Sequence, residues 1–310
     1  MGAGASGCGA APRTSGADGR DADTRALAAL FDACGGVLWT DDEPWPLMPN
    51  TQRDVDAGGV YSGVDAVDGT WQGVGLGAEG ADDGRVVWLD RCECNLFGSV
   101  PQELGQLSRL TLLSLPGNML SGKLPQSLAA LRQLKMLDLH SNPELGGPLP
   151  AWLSSLRKLK MLQLDFCCFE GAIPDAWQEL ELLEQVNVGN NRLSGILPEW
   201  LGRMPQLRVL DVSSNRFYGN VPMALLRRRE VDNHAAGDRH RRGSASVHAA
   251  AAWRAGAGAG APALPRMQLL LAPGNEGLVG LPDSAGSAAG GVSVPGSVMQ
   301  PCLRCEATSQ

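Results

Sequence analysis

The sequence predicts an α/β solenoid in which short parallel strands line one face and 3₁₀ or helical turns line the opposite side. Two observations predict this fold class. An aliphatic residue followed by proline recurs six times within residues 87–226, with successive prolines 24 or 25 residues apart. Alternating aliphatics, an Asn or Cys, and a Gly recur in fixed order around each proline. A unit this short cannot bury its own apolar face, so stability must come from stacking on neighbouring coils.

The composition excludes several classes of protein. The chain has 310 residues, a net charge of −7 and 44% hydrophobic residues, which suffices for one elongated array. Its acidity argues against nucleic acid as the main partner. We find no apolar run of 18 residues for a membrane span, and residues 1–25 lack the apolar core of a classical secretory signal.

The local elements follow from spacing. Residues 25–39 predict an amphipathic helix that ends at Gly35 and Gly36. Each repeat then opens on two alternating aliphatics, such as Leu113 and Leu115, which predict a short strand. Apolar residues three and six positions after each proline fit one helical or 3₁₀ turn. In the first repeat, Arg91 replaces the second inward aliphatic, and we expect that strand to be distorted.

At one position in each repeat, the side chain is predicted to form hydrogen bonds with backbone groups inside the coil. Asn has two donors and an acceptor for this purpose, and Cys is small enough to replace it as a structural thiol. Gly, three residues before each proline, allows a turn with positive φ. The predicted ladder residues are Cys94, Asn118, Asn142, Cys167, Asn191 and Asn215.

The repeat resembles the plant-type leucine-rich repeat, LxxLxLxxNxLxGxIPxxLxxLxxL, with residues 110–134 as its nearest copy. The resemblance implies a right-handed leucine-rich repeat superhelix that recognises proteins or peptides on its concave face. Residues 23–86 resemble the N-terminal cap of this family. Secreted members usually carry a Cys pair around the Trp-Gly-Val turn of the cap, but Gly69 and Leu76 occupy those positions here.

The ends of the chain predict further segments. We expect a disordered N-terminal tail over 1–22, the cap over 23–86 and six repeats over 87–226. Residues 227–263, basic and rich in Ala and Gly, predict a disordered insert or an error in the gene structure. Residues 264–283 predict a degenerate seventh repeat or C-terminal cap, because Asn275 precedes Pro282 by seven residues. Residues 284–310 predict a flexible tail.

Side chains between the inward aliphatics should point to solvent and meet the partner. An apolar row lies beside a polar, acidic one, which predicts a protein or peptide partner with basic and apolar character. The predicted partner-binding residues are Trp88, Asp90, Leu112, Ser114, Met136, Asp138, His140, Met161, Gln163, Asp165, Gln185, Asn187, Val209 and Asp211.

No catalytic motif occurs, so we predict no catalytic residue, no metal site and no cofactor. The lone pair Cys302 and Cys305 has no second pair to complete a zinc site. The missing cap cysteines favour a cytoplasmic location, with a secreted or cell-surface protein as the alternative. Gly2 fits an N-myristoylation pattern and Cys8 a palmitoylation site, which would attach the protein to the cytoplasmic face of a membrane. Ser244 follows arginines as in basophilic kinase sites.

The sequence therefore predicts a non-catalytic protein- or peptide-binding module, an adaptor or recognition protein in signalling. Two alternatives stay open: an inhibitor of a secreted enzyme, or the ligand-binding fragment of a larger receptor or enzyme.

Overall fold

The computed structural model describes residues 17–40, 45, 71–78, 80, 84–228, 267–271, 274–275 and 277–279. Helix α1 covers Ala17–Ala33 and helix α2 covers Met223–Arg228. The first sheet contains β1 (Val74–Leu76), β2 (Val86–Asp90), β4 (Leu112–Ser114), β6 (Met136–Asp138), β8 (Met161–Gln163), β10 (Gln185–Asn187), β12 (Val209–Asp211) and β14 (Gln268–Leu270). The second contains β3 (Phe97–Ser99), β5 (Met119–Gly122), β7 (Glu144–Pro148), β9 (Cys168–Gly171), β11 (Arg192–Gly195), β13 (Arg216–Asn220) and β15 (Gly277–Val279).

The first sheet is the concave face of the predicted solenoid. Its strands follow chain order from β1 to β14, one strand per coil, and all pairs except β1 with β2 are parallel. Each inward aliphatic pairs with its equivalent in the next coil, as Leu113 pairs with Leu137. From Leu89 to Leu210 these first inward aliphatics are at most 2% exposed. The predicted α/β solenoid is confirmed.

The convex side carries the predicted turns. Five 3₁₀ helices each begin directly after a repeat proline, whose backbone is extended. They cover Gln102–Gln106, Gln126–Ala130, Ala151–Ser155, Asp175–Glu179 and Glu199–Arg203. In the sixth coil the equivalent segment is the α-helix α2.

The second sheet was not predicted from the sequence. Its strands follow the ladder residue of each coil and pair with their equivalents in parallel. Alternation there is interrupted by the repeat glycines, which take positive φ, as at Gly122 (76°) and Gly195 (97°). Since these strands bury few apolar positions, periodicity alone does not distinguish them from turns.

The Asn ladder lies inside the coils as expected. The side chain of Asn142 is completely buried; its amide nitrogen donates to the carbonyls of Leu115, Leu139 and His140, and its oxygen accepts from the amide of Leu120. Asn118, Asn191 and Asn215 bond in the same way. The Cys167 thiol donates to the Leu139 and Asp165 carbonyls, and Cys94 to the Cys92 carbonyl.

Helix α1 begins eight residues before its predicted start at residue 25, within the predicted tail, whereas its end just before Gly35 and Gly36 agrees with the prediction. It begins at Ala17 because its first half is docked on the array: Asp23 accepts two hydrogen bonds from the Arg85 guanidinium and one from the Val86 amide. It ends at Ala33 because Gly35 takes a left-handed φ of 69°.

The predicted distortion does not occur next to Arg91, where β2 pairs in regular register with β4; the irregularity of β2 lies instead in its pairing with β1, between Val86 and Trp88. Strand β2 is continuous up to Asp90, and Arg91 follows it completely buried. Its guanidinium carbon lies 4.5 Å from the ring centroid of Trp39 and 5.0 Å from that of Trp45, and Nη1 donates to the Gln72 carbonyl at 3.1 Å. Cation–π contacts with the cap therefore replace the missing aliphatic packing.

Arg228 occupies an apolar position at the other end of the array and is also buried. Its guanidinium donates to the carbonyls of Gly202, Met204 and Leu207, and burial lowers its pKa. The Arg228 side chain thus provides hydrogen-bond donors for backbone carbonyls at the end of the preceding coil.

Arg228→Ala should destabilise the last coils by about 2–4 kcal/mol, because three buried carbonyls lose their donor. Arg227→Ala removes the same charge from an exposed neighbour and should leave the melting temperature within experimental error. Thermal unfolding followed by circular dichroism measures both variants, and equal melting curves would contradict this role of Arg228.

Strands β14 and β15 extend the two sheets by one coil. They pair in parallel with β12 and β13. Asn275 accepts from the Phe217 amide and donates to the Val212 and Leu271 carbonyls, as the other ladder asparagines do. Both strands lie within the predicted seventh repeat, 264–283. The predicted insert from residue 229 onward and the predicted tail lie outside the described residues.

Candidate binding surface on the concave sheet

The strand register arranges the predicted partner-binding residues in rows across the concave sheet. The apolar row starts at the exposed Trp88 and the polar row at Asp90, one residue from each strand per row. The apolar row is Trp88, Leu112, Met136, Met161, Gln185 and Val209. The polar row is Asp90, Ser114, Asp138, Gln163, Asn187 and Asp211. A third row, two residues further along each coil, includes His140 and Asp165.

The expectation that all these side chains face open solvent is wrong. Trp88 is 40% exposed, whereas Met161 is only 7% exposed. Ser114, Asp138 and Gln163 are also buried. Met161 is buried, although it is not part of the contiguous cluster of core side chains. Long side chains on neighbouring strands about 4.8 Å apart cover one another on a concave surface, which the strand pattern cannot show.

Trp88 marks the N-terminal end of this surface. It pairs with Gly75 of β1, and an added Cβ at Gly75 would overlap the Trp88 indole. The indole therefore lies directly over the glycine backbone. This contact orients an exposed aromatic side chain beside the apolar row.

Hydrogen bonds organise the acidic side chains of the polar row. Asp138 Oδ1 lies 2.6 Å from His140 Nδ1 and accepts the His140 backbone amide at 3.2 Å. Asp211 Oδ1 accepts from both the amide and the hydroxyl of Ser213. These bonds hold the carboxylates in defined orientations on the surface.

Two groups in the third row have shifted pKa values. Burial alone would lower the pKa of His140, but the hydrogen bond to Asp138 and the charges of Asp138, Asp165 and Glu93 outweigh it, so the pKa is raised. Burial raises the pKa of Asp165 to about 6, against the opposing charge of His140. Glu93 was not predicted, because it lies beyond the strand, past the three rows.

The side chain of Gln163 has a different environment from its neighbours. It is 8% exposed, and no residue that the structure describes forms a hydrogen bond with its amide. The amide atoms still reach the surface, because they are not among the fully enclosed polar atoms without a partner. A buried polar group that lacks a partner is costly unless water or a ligand satisfies it.

A family model described as a leucine-rich repeat region matches residues 84–228. These residues form a leucine-rich repeat domain. The matched range begins just before β2 and ends with α2, so it contains all six predicted repeats. No curated protein sequence matches the chain.

Solved structures place the leucine-rich repeat domain among plant-type members. The LRR ectodomain of the receptor kinase SOBIR1 from Arabidopsis thaliana is 26% identical, with a TM-score of 0.50; the match covers 63% of this chain and 94% of that one. A plant ice-binding protein is 26% identical, with a TM-score of 0.51 and coverage of 66% and 59%. The PEPR1–AtPEP1 structure is 25% identical, with a TM-score of 0.54; the match covers 66% of this chain and 26% of the length of that chain.

Other predicted features lie beside or outside the leucine-rich repeat domain. Gly2, Cys8 and Ser244 fall outside the described residues. In the part of the chain that the structure covers, no His, Cys, Asp and Glu side chains cluster as metal ligands, and no helix is long and apolar enough to span a membrane. The described cysteines, Cys34, Cys92, Cys94, Cys167 and Cys168, are free thiols.

Proposed function

We propose that the protein is a non-catalytic recognition module that binds a protein or peptide on its concave sheet. The observation that carries the proposal is the ordered polar row, in which acidic groups and the unbonded Gln163 amide lie beside the apolar row. A rigid seven-coil surface of this kind can bind an extended segment without reorganising. The acidic groups favour a partner with basic as well as apolar side chains.

The structural likenesses support a ligand-binding role at the cell surface. The match covers nearly all of the SOBIR1 ectodomain, which favours the secreted or cell-surface alternative over a cytoplasmic location. The same observation favours the second candidate function, the ligand-binding part of a larger receptor. Membrane attachment through Gly2 and Cys8, phosphorylation of Ser244 and inhibition of a secreted enzyme stay predictions.

Asp138→Lys combined with Asp211→Lys should reduce partner capture at least tenfold, because two attractive charges on the surface become repulsive. Capture from an extract of the organism's own cells, followed by mass spectrometry, measures the loss. The matched control is Glu181→Lys with Glu199→Lys, which changes the net charge equally at exposed positions on the convex side.

The melting temperature of each variant is measured alongside the capture experiment, because Asp138 forms hydrogen bonds in the folded protein and its replacement removes them. If the lysine pair lowers the melting temperature, Asp138→Asn with Asp211→Asn removes the charges at nearly constant shape. Retention of the same partners by a folded concave-sheet variant would exclude binding at this surface.

A further inference from the structure

The middle of the concave sheet has three acceptor groups close together. Asp138 and Gln163 are paired residues on β6 and β8, and therefore lie about 4.8 Å apart across the sheet. Asp165 follows Gln163 by two residues, close enough to His140 and Asp138 for their charges to shift its titration. All three side chains project from the concave side, because the alternating residues next to them are buried in the core, namely Leu137, Leu139, Leu162 and Leu164.

Two of these acceptors, Asp138 and Gln163, have oxygen atoms that form no hydrogen bond with a described residue. Asp138 uses Oδ1 for His140, and no described residue donates to its Oδ2. Gln163 is nine-tenths buried with its amide unbonded by any residue in the described ranges. A glutamine that is nine-tenths buried as a residue, and whose amide has no hydrogen-bond partner among the described residues, is an independent sign of a binding position, since an acidic cluster alone is common on solvated surfaces.

Beyond Asp165, two polar side chains lie close to a glycine of the third row. The next coil has Gly189 in the third row, and a Cβ there would lie 3.1 Å from Asp211 Oδ1 and 3.3 Å from the Ser213 hydroxyl. Gly189 does not have the positive φ that would demand glycine. The Asp211 carboxylate and the Ser213 hydroxyl therefore lie close against Gly189, and any side chain at this position would crowd them.

We propose that Asp138, Gln163 and Asp165 form a subsite that binds one arginine side chain of the partner. The proposal rests on the proposed function and specifies which group the binding surface recognises. A guanidinium presents five donors in a planar fork and can reach acceptors on two rows at once. A lysine ammonium is a compact point charge and would satisfy fewer of them.

The subsite is linked to pH. The charged groups facing Asp165 are His140 and Asp138 from the preceding coil and Asp211 from two coils further on, with Glu93 acting on His140. The neighbouring Cys167 thiol stays protonated, since burial raises its pKa to about 12. Because the pKa of His140 is raised, His140 takes up its proton first as pH falls, and Asp165 takes one up at a pH of about 6; both events disfavour a bound cation. Arginine affinity should therefore fall about tenfold from pH 7.5 to pH 5.

The probe for the test is N-acetyl-arginine N-methylamide, titrated into the full chain while NMR follows the amides of the concave sheet. We expect saturable shifts centred on Gln163, including its side-chain amide, at pH 7.5. N-acetyl-citrulline N-methylamide has the same shape without charge and should bind at least tenfold more weakly.

Two variants test the subsite independently. Gln163→Leu should weaken arginine binding about tenfold by removing an acceptor, and Asp165→Asn should weaken it similarly and flatten the pH dependence. Glu181→Gln removes an exposed acid from the convex side and should bind the probe as the wild type does. Melting curves establish that each variant is folded, and either folded variant alone decides the result.

The subsite proposal is overturned if the arginine probe shows no saturable binding to the wild type. It is also overturned if the wild type, Gln163→Leu and Asp165→Asn bind the arginine probe equally, or if the wild type binds the citrulline probe as tightly as the arginine probe. The proposed function is tested separately by capture with the Asp138→Lys and Asp211→Lys variant. If capture depends on the concave sheet while the arginine probe fails, the subsite is wrong and the recognition function stands.

Discussion

Replacing Leu137 with Asp is expected to unfold the coils around it. Leu137 is 1% exposed and stacks between its equivalents Leu113 and Leu162. The substitution removes a buried leucine, a loss of about 2–5 kcal/mol in other cores. It also places a carboxylate where no partner is available. Because each coil is stabilised only by its neighbours, the damage should extend to the adjoining repeats.

Circular dichroism and thermal melting measure this effect. Leu182→Asp provides the matched control, since Leu182 is 44% exposed in the same array and should tolerate the charge. We expect the Leu137 variant to lose its cooperative transition and the Leu182 variant to keep it. An unchanged melting curve for Leu137→Asp would contradict the inward assignment of the strand aliphatics.

Asn142→Ala should destabilise the array by about 4 kcal/mol. The Asn142 side chain makes four hydrogen bonds to backbone groups of two successive coils, and it is completely buried. Alanine leaves these donors and acceptors without partners in a site that water does not reach. Each unsatisfied buried group costs about 1–3 kcal/mol, with partial relaxation reducing the sum.

The chain itself supplies the comparison variant for this position. Cys94 and Cys167 occupy the same ladder site, and their thiols donate to carbonyls. Asn142→Cys should therefore lose less stability than Asn142→Ala, because one weak donor remains. Urea unfolding of the three proteins tests the order, and equal stability of all three would remove the structural role of the ladder.

The spacing of the repeats predicted the register of the concave sheet. A period of 24 residues with alternating aliphatics places Leu113, Leu137 and Leu162 at equivalent positions, and the strands pair at those residues. Period-two alternation specifies the face of each side chain, since a shift by one residue would expose the apolar set. The ladder residues followed from the same period.

Other features depended on contacts between residues far apart in the chain. Helix α1 starts at Ala17 because Asp23 meets Arg85, a pair separated by 62 residues. Arg91 is accommodated because Trp39 and Trp45 of the cap cover it. These partners are too far away in the chain to appear in any local sequence pattern. The sequence therefore predicted a later start of the helix and a strand distorted next to Arg91, and both predictions are wrong.

The sequence by itself determined the solenoid, the rows of the concave sheet and the buried ladder, because all three repeat with the chain and need only local periodicity. The tertiary structure alone decided which members of the rows remain accessible. It enclosed Met161 while leaving Trp88 exposed, and within the described part of the chain it left the Gln163 amide without a hydrogen-bond partner beside two carboxylates. The physical reason is that accessibility on a concave surface depends on the lengths of side chains from adjacent coils, which only the folded packing brings together.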